Sequence, residues 1–117
     1  MVTKTKLQEK SYEFSIRVVN LVKFLHSNNE FVLSKQLLRS GTSIAALVYE
    51  AEFAQSIADM ISKFSIALKE ANETKYWLNL LKDTDYLTDK MFISIEKDIL
   101  EVIKILVKSI KSLKDKS

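Results

Sequence analysis

The chain has 117 residues, of which 47% are hydrophobic, and this size and composition fit one globular domain with a buried core. One glycine, no proline and no cysteine argue against a turn-rich β fold, a disulfide framework and a thiolate metal site. The net charge of +3 permits a polyanionic partner without requiring one. Because no stretch is as long and apolar as a membrane span and the N-terminus does not resemble a signal peptide, we expect a cytoplasmic protein without membrane contact.

The first half of the chain predicts two helices, at about residues 8–26 and 33–54, separated by the polar run 27–29. The apolar stripe of the first helix consists of Phe14, Val18, Leu21 and Leu25. The seam of the second helix consists of Leu33, Leu37, Gly41, Ile44, Val48 and Ala51. A glycine inside a helix costs about 1 kcal/mol relative to alanine. We therefore expect another helix to approach closely at Gly41, which offsets this cost.

The second half predicts two further helices, at about residues 57–82 and 88–114. Ser56 and Asp59 match a capping box at the start of the third helix, and Thr88 is the expected cap of the fourth. The stripe of the third helix consists of Met60, Phe64, Ala67, Ala71, Thr74, Leu78 and Leu81. The stripe of the fourth consists of Phe92, Ile95, Ile99, Val102, Leu106, Ile110 and Leu113.

Short breaks between long helices favour antiparallel neighbours, so the sequence predicts an all-α, up-down-up-down four-helix bundle that forms a single domain over residues 1–117. Some apolar stripes are wider than one seam needs, because Ile16 and Val19 widen the first helix and Leu100, Ile103 and Val107 widen the fourth. Two interpretations remain open: a small bundle that buries these residues itself, or a surface that other subunits cover.

The sequence offers little for catalysis. His26 is the only histidine, and neither a second histidine nor a cysteine accompanies it as a zinc ligand. Glu70 and Glu73 share a helix face, but the Glu-x-x-His pairs of two-iron bundles do not occur. Trp77 is expected to fill a core or interface position more readily than to stack on a base. We therefore predict no enzymatic activity, no metal and no cofactor.

Basic residues are the main candidates for ligand contact. Lys104, Lys108 and Lys111 share one face of the fourth helix, and Lys114 extends the run. Because the first and last termini of such a bundle lie at the same end, the lysines near the N-terminus join this cluster in one positive rim; they are Lys4, Lys6 and Lys10. The rim is either a solvated face or a contact surface for phosphate backbones that reads no sequence.

Two blocks carry a family resemblance: SKQLLRSGTSI at residues 34–44, followed by Glu50-Ala51, and SKFSIALKEA at residues 62–71, followed by Glu73-Thr74 and Tyr86-Leu87-Thr88. They resemble the bacterial four-helix-bundle proteins encoded in intervening sequences of 23S ribosomal RNA genes. The resemblance implies a ring-like homopentamer. It also implies a fold similar to the accessory variability proteins of diversity-generating retroelements, which are pentameric, nucleic-acid-binding partners of a reverse transcriptase.

The resemblance assigns the matching residues to contacts between helices or subunits; they are Arg39, Ser40, Gly41, Ser43, Glu50, Lys69, Glu70, Glu73 and Trp77. This chain departs from the family in having Leu47 where asparagine is common and Tyr49 where a small residue is common.

Taken together, the sequence and the resemblance predict a non-enzymatic protein that self-assembles, with RNA or DNA as a further partner. The candidate nucleic-acid contacts are Lys104, Lys108, Lys111, Lys114, Arg17, Lys35 and Arg39. The alternative is an adaptor for a larger protein partner that binds no nucleic acid.

Overall fold

The computed structural model describes residues 4–117 and consists of four helices. In chain order they are α1 (Lys6–Ser27), α2 (Leu33–Ala51), α3 (Ile57–Asp83) and α4 (Asp89–Lys116). Each helix packs against its two neighbours in the order α1, α2, α3, α4, and α4 closes the square against α1. The described residues contain no strand, and the molecule measures 46 × 24 × 22 Å. The prediction of an all-α four-helix bundle is confirmed.

None of the three turns contains glycine, and two of them place another residue in the left-handed backbone conformation that glycine usually adopts. Asn29, after α1, and Asp85, after α3, each adopt a left-handed backbone conformation, with φ of 63° and 69°. The residue that follows each of them donates its backbone N–H to a carbonyl near the helix end, Glu30 to Leu25 and Tyr86 to Leu81, at 2.9 Å in both cases. This is the Schellman arrangement, in which asparagine replaces the usual glycine at some cost in strain. A chain with one glycine can therefore reverse direction sharply.

Side-chain caps define three of the four helix starts. The Ser56 and Thr88 hydroxyls accept the N–H groups of Asp59 and Met91, at 3.0 and 3.1 Å, as predicted. The Asp59 carboxylate accepts the N–H of Gln55 rather than that of Ser56, so the predicted capping box is closed one residue further out. At the first helix the cap is Thr5, which exchanges hydrogen bonds with Gln8.

Three helix ends differ from the sequence prediction by two residues or more, and one of them is the end of α4, at Lys116 rather than at residue 114. The capping box at Thr5 starts α1 at Lys6, two residues before the expected position. The second helix, α2, ends at Ala51, three residues before the expected position at residue 54. The backbone tightens there, because Phe53 and Ala54 donate to carbonyls three residues back, at 3.0 and 3.2 Å.

The close approach expected at Gly41 is present. A Cβ atom built on Gly41 of α2 would lie 2.8 and 2.9 Å from the two γ-carbons of Val18 on α1. Val18 is fully buried, so the helices meet with no spare room at this crossing. The rest of the core follows the predicted stripes, except that Leu33, Met60, Phe64 and Leu113 are only half-buried. Its fully buried large side chains include Phe14, Leu25, Leu37, Ile44, Leu78, Leu81, Ile99 and Leu106.

Candidate functional site

The candidate lysines of α4 form an outward row. Lys104, Lys108, Lys111 and Lys114 are all exposed, and within the described residues no carboxylate oxygen lies within 4.0 Å of any of them. Two further exposed lysines, Lys90 and Lys97, precede Lys104 and Lys111 at steps of seven residues and therefore share their face. The sequence prediction did not include Lys90 and Lys97, although their seven-residue spacing is visible in the sequence. We refer to Lys90, Lys97, Lys104, Lys108 and Lys111 as the α4 lysine row.

The N-terminal lysines divide between three places. Lys6 lines an open groove of about 660 Å³ together with Lys104 and Lys108, which brings one lysine from each end of the chain together. Lys10 instead pairs with Glu101 at 3.5 Å. Lys4 lies on the other side of α1, with its Nζ atom 5.8 Å from the ring centroid of Tyr12. Only Lys6 therefore extends the basic surface of α4.

Arg17 and Lys35 lie outside the α4 lysine row. The Arg17 guanidinium donates to the Asp98 carboxylate at 2.6 Å and to the carbonyl and hydroxyl oxygens of Ser94, both at 3.1 Å. It thereby ties α1 to α4. Lys35 is exposed, but it lies on α2, which is diagonal to α4 in the bundle.

Arg39 belongs to a polar network between α2 and α3. Its guanidinium donates to the Glu73 carboxylate and, at 3.3 Å, to that of Glu70. The indole N–H of Trp77 donates to the same Glu73 oxygen at 3.0 Å. Arg39, Glu70, Glu73 and Trp77 therefore link α2 to α3. The Nε atom of Arg39 also donates to the side-chain oxygen of Gln36 at 3.4 Å.

Other motif residues complete the α2–α3 contact. Ser40 and Thr74 are fully buried, with their hydroxyl oxygens 2.9 Å apart, and Thr74 also lies 2.8 Å from the Glu70 carbonyl oxygen. Glu50 pairs with Lys63 at 3.6 Å. Within the described residues, two motif residues make no hydrogen bond or ion pair with the neighbouring helix: the Ser43 hydroxyl donates to the Arg39 carbonyl at 2.6 Å, and Lys69 is exposed. Leu47, where this chain departs from the family, is half-buried against the core.

We expect Arg39→Gln to lower the free energy of unfolding by about 1 kcal/mol, the upper range for exposed ion pairs, because Arg39 serves two carboxylates and is half exposed. Urea unfolding measures this, with Lys35→Gln, one turn earlier on α2, as the control for loss of a lysine or arginine charge. Retention on nucleic acid should stay unchanged. Weaker retention with unchanged stability would instead make Arg39 a ligand contact.

Two apolar faces lie on opposite sides of the bundle. Since α1 meets α4 through Lys10 and Arg17, the exposed apolar residues Tyr12, Ile16 and Val19 of α1 lie on the other flank, toward α2. There Tyr12 and Tyr49 line a shallow groove of about 140 Å³. We call this surface the α1–α2 face; it consists of Tyr12, Ile16, Val19, Leu38, Tyr49 and Phe53, all exposed.

The second apolar face lies along α4. Ser94, Asp98 and Glu101 mark the flank of α4 that meets α1. Three exposed residues seven apart occupy the flank that leans toward α3. We call this surface the α3–α4 face; it consists of Ile93, Leu100 and Val107, with half-buried Ile103 beside them. Ile16, Val19, Leu100 and Val107 are thus four of the residues that made the predicted stripes too wide, and this single copy leaves all four exposed.

In the part of the chain that the structure describes, no group of three histidine, cysteine, aspartate or glutamate residues is arranged to hold a metal ion. Over residues 4–117, none of the four helices is both long enough and apolar enough to cross a membrane. His26 lies in the last turn of α1, with its ring 5.1 Å from that of Phe31.

Known proteins are similar to this chain in both sequence and fold. A family model described as 23S rRNA-intervening sequence protein matches residues 3–108. Among solved structures, a Bacteroides thetaiotaomicron protein of unknown function from the S23 ribosomal protein family is 57% identical, with a TM-score of 0.88. The match covers 90% of this chain and 98% of that one. No curated protein matches the chain.

Proposed function

The chain belongs to the 23S rRNA-intervening sequence protein family, in which one solved relative is a protein of unknown function, and we propose that this chain is a non-enzymatic assembly protein. Its copies join head to tail into a closed ring, and the ring binds RNA or DNA through lysines without sequence preference. Five subunits is the ring size that the family resemblance implies.

The opposite placement of the two apolar faces is the observation that carries this proposal. Contiguous exposed apolar residues are a common feature of protein–protein interfaces. A twofold dimer uses one patch that contacts itself, whereas a head-to-tail contact joins two different patches. The α1–α2 face and the α3–α4 face lie on opposite sides of the square, so one copy can offer the first while its neighbour offers the second. Repeating that contact closes a ring when the rotation between copies allows it.

A ring also suits weak electrostatic binding. Each subunit contributes only a few lysines, and a single lysine–phosphate contact is weak. A ring presents several copies of the α4 lysine row at once, so that one polyanion engages them together and the avidity exceeds the affinity of a single subunit.

Light scattering coupled to size-exclusion chromatography tests the assembly. We expect the wild-type protein at five times the 13.5 kDa subunit mass. Tyr49→Glu and Val107→Glu each place a charge on one face, at side chains 63% and 50% exposed, so each variant should fold and remain at the subunit mass. Tyr76→Glu, at a 59% exposed tyrosine outside both faces, is the matched control and should assemble like the wild type.

Mixing the two interface variants distinguishes a head-to-tail contact from a twofold one. Tyr49→Glu retains an intact α3–α4 face and Val107→Glu retains an intact α1–α2 face, so one copy of each should pair at twice the subunit mass and grow no further. A wild-type protein at the subunit mass contradicts the ring. Variants that stay in the full assembly, or a mixture that stays monomeric, contradict the assigned faces.

A further inference from the structure

The α4 lysine row is long, and it drifts around the helix by about 20° for every seven residues. Its outermost members, Lys90 and Lys111, are 21 residues apart on one helix. At 1.5 Å per residue the row is about 31 Å long. One turn of a nucleic-acid duplex has a similar length, about 34 Å. The row lies on a helix of 28 residues that packs against both α1 and α3, so the backbone holds its charges in fixed relative positions.

The nearest acids on the α1 side of the row are already neutralised. Asp98 and Glu101 lie between the row and α1, where they would otherwise offset its charge. Asp98 pairs with Arg17 at 2.6 Å and Glu101 pairs with Lys10 at 3.5 Å. The cations of α1 therefore satisfy these carboxylates and leave the lysines of α4 free of acid contact within the described residues.

From this arrangement, and resting on the nucleic-acid binding proposed above, we infer that the α4 lysine row binds the phosphate backbone of double-helical nucleic acid in preference to a single strand. Proteins that hold single strands combine cations with aromatic side chains on which successive bases stack. Between Lys97 and Lys111 the helix carries no aromatic residue. Most exposed aromatic side chains lie away from the row, on the α1–α2 face, at the turns and at Tyr76 on α3; Phe24 alone lies beside its first member, Lys90.

A duplex satisfies the same row without stacking. Its phosphates present a regular, dense line of negative charge, and lysines contact them as point charges with no demand on base identity. Lys6 adds a further cation to the groove beside Lys104 and Lys108, at the end of the row nearest the chain termini. The expected complex therefore has the duplex lying along α4, with the binding surface completed by the start of α1.

Fluorescence anisotropy with a labelled 20-base-pair duplex and with one of its strands alone tests the inference, in DNA and RNA versions. We expect the duplex to bind at least about tenfold more tightly than the strand at 50 mM salt. Lys104→Gln combined with Lys108→Gln should weaken duplex binding about tenfold. It should also reduce the slope of log affinity against log salt by about 2, since each lost phosphate contact lowers it by about 0.9.

The matched control is Lys75→Gln combined with Lys82→Gln, which removes the same charge from α3. Its affinity should stay within twofold of the wild type, and both double variants should retain the wild-type mass, because each leaves the apolar residues of both faces unchanged.

Several results would overturn the inference. These are equal binding of strand and duplex, equal losses in the two double variants, dissociation of the Lys104/Lys108 variant, or binding to anionic phospholipid vesicles with none to duplex. If the wild type assembles but binds no nucleic acid at 50 mM salt, the inference and the nucleic-acid part of the proposed function both fail, while the ring stands. If the wild type binds both forms equally, only the duplex preference fails.

Discussion

We expect Gly41→Leu to lower the free energy of unfolding by about 3 kcal/mol, and Gly41→Ala to lower it by about 1 kcal/mol. The cause is the contact with Val18, whose γ-carbons lie 2.8 and 2.9 Å from the position of a Cβ on Gly41. Val18 cannot turn away easily, since a β-branched side chain in a helix has one strongly preferred rotamer. The whole helix must then shift, and overpacking of this kind costs about 1–3 kcal/mol.

The alanine variant is the more informative one, because two effects of opposite sign compete in it. Alanine gains about 1 kcal/mol over glycine in helix propensity. A net loss therefore shows that the steric term is larger. Ala46→Gly, at an exposed position of α2, measures the propensity term alone and should cost about 1 kcal/mol. Urea unfolding at matched protein concentration gives all these values.

A double variant assigns the steric cost to Val18. Val18→Ala alone opens a cavity in the core and should cost about 2 kcal/mol. Combined with Gly41→Ala, it removes the two γ-carbons that the new methyl group meets, so the double variant should cost less than the sum of the single ones by about 1 kcal/mol. Additive losses, or a Gly41→Ala protein more stable than the wild type, would show that α1 and α2 do not meet closely at this point.

The fold was readable from the sequence because its determinants are local and periodic. Apolar residues three and four apart specified each core stripe, and Thr88 and the Ser56–Asp59 pair marked two helix starts. The single glycine in the second helix predicted a close crossing, which the contact with Val18 confirms. The end of α2 could not be predicted from the sequence, because the helix closes through backbone hydrogen bonds to the Glu50 and Ala51 carbonyls. No glycine, proline or capping side chain marks that position in the sequence.

The candidate site was less readable, because ion pairs depend on which helices become neighbours. Arg17 and Arg39 look like free cations in the sequence, and the fold brings each to acids far along the chain, at Asp98 and Glu73. The lysines of α4 stay free because their nearest acids are taken by α1. Net charge and helical spacing alone could not make that distinction.

Glu30 is another residue whose role could not be predicted from the sequence, and we expect its replacement to lower the stability of the fold substantially. α2 starts at Leu33 with no acidic residue in its first turn, and Val32 at the cap position makes no side-chain hydrogen bond. The carboxylate of Glu30 takes that role from upstream. It accepts the backbone N–H groups of Val32, Leu33 and Ser34 at 3.1, 2.9 and 2.7 Å, with 6% of the residue exposed.

Removing this carboxylate leaves three backbone donors without a partner in a largely buried place. We expect Glu30→Ala to lower the free energy of unfolding by about 2 kcal/mol, within the range for a lost helix cap or an unsatisfied buried group. Glu30→Gln keeps one oxygen and should lose about half as much. Glu52→Gln, at an exposed glutamate near the end of α2, is the control and should stay within about 0.5 kcal/mol of the wild type.

The contribution of Glu30 should also depend on pH. Burial raises the pKa of this carboxyl, but the hydrogen bonds from Leu33, Ser34 and Val32 lower it by more, so that the pKa lies below its ordinary value of 4.5. A carboxyl with a lowered folded-state pKa stabilises the fold above its unfolded-state pKa, and this stabilisation is lost as the pH falls through the folded-state value. The stability difference between wild type and Glu30→Gln should therefore be constant at pH 6–8 and shrink progressively below about pH 4.5. A difference that stays constant down to pH 3, or grows there, would mean that the ionised carboxylate does not cap α2.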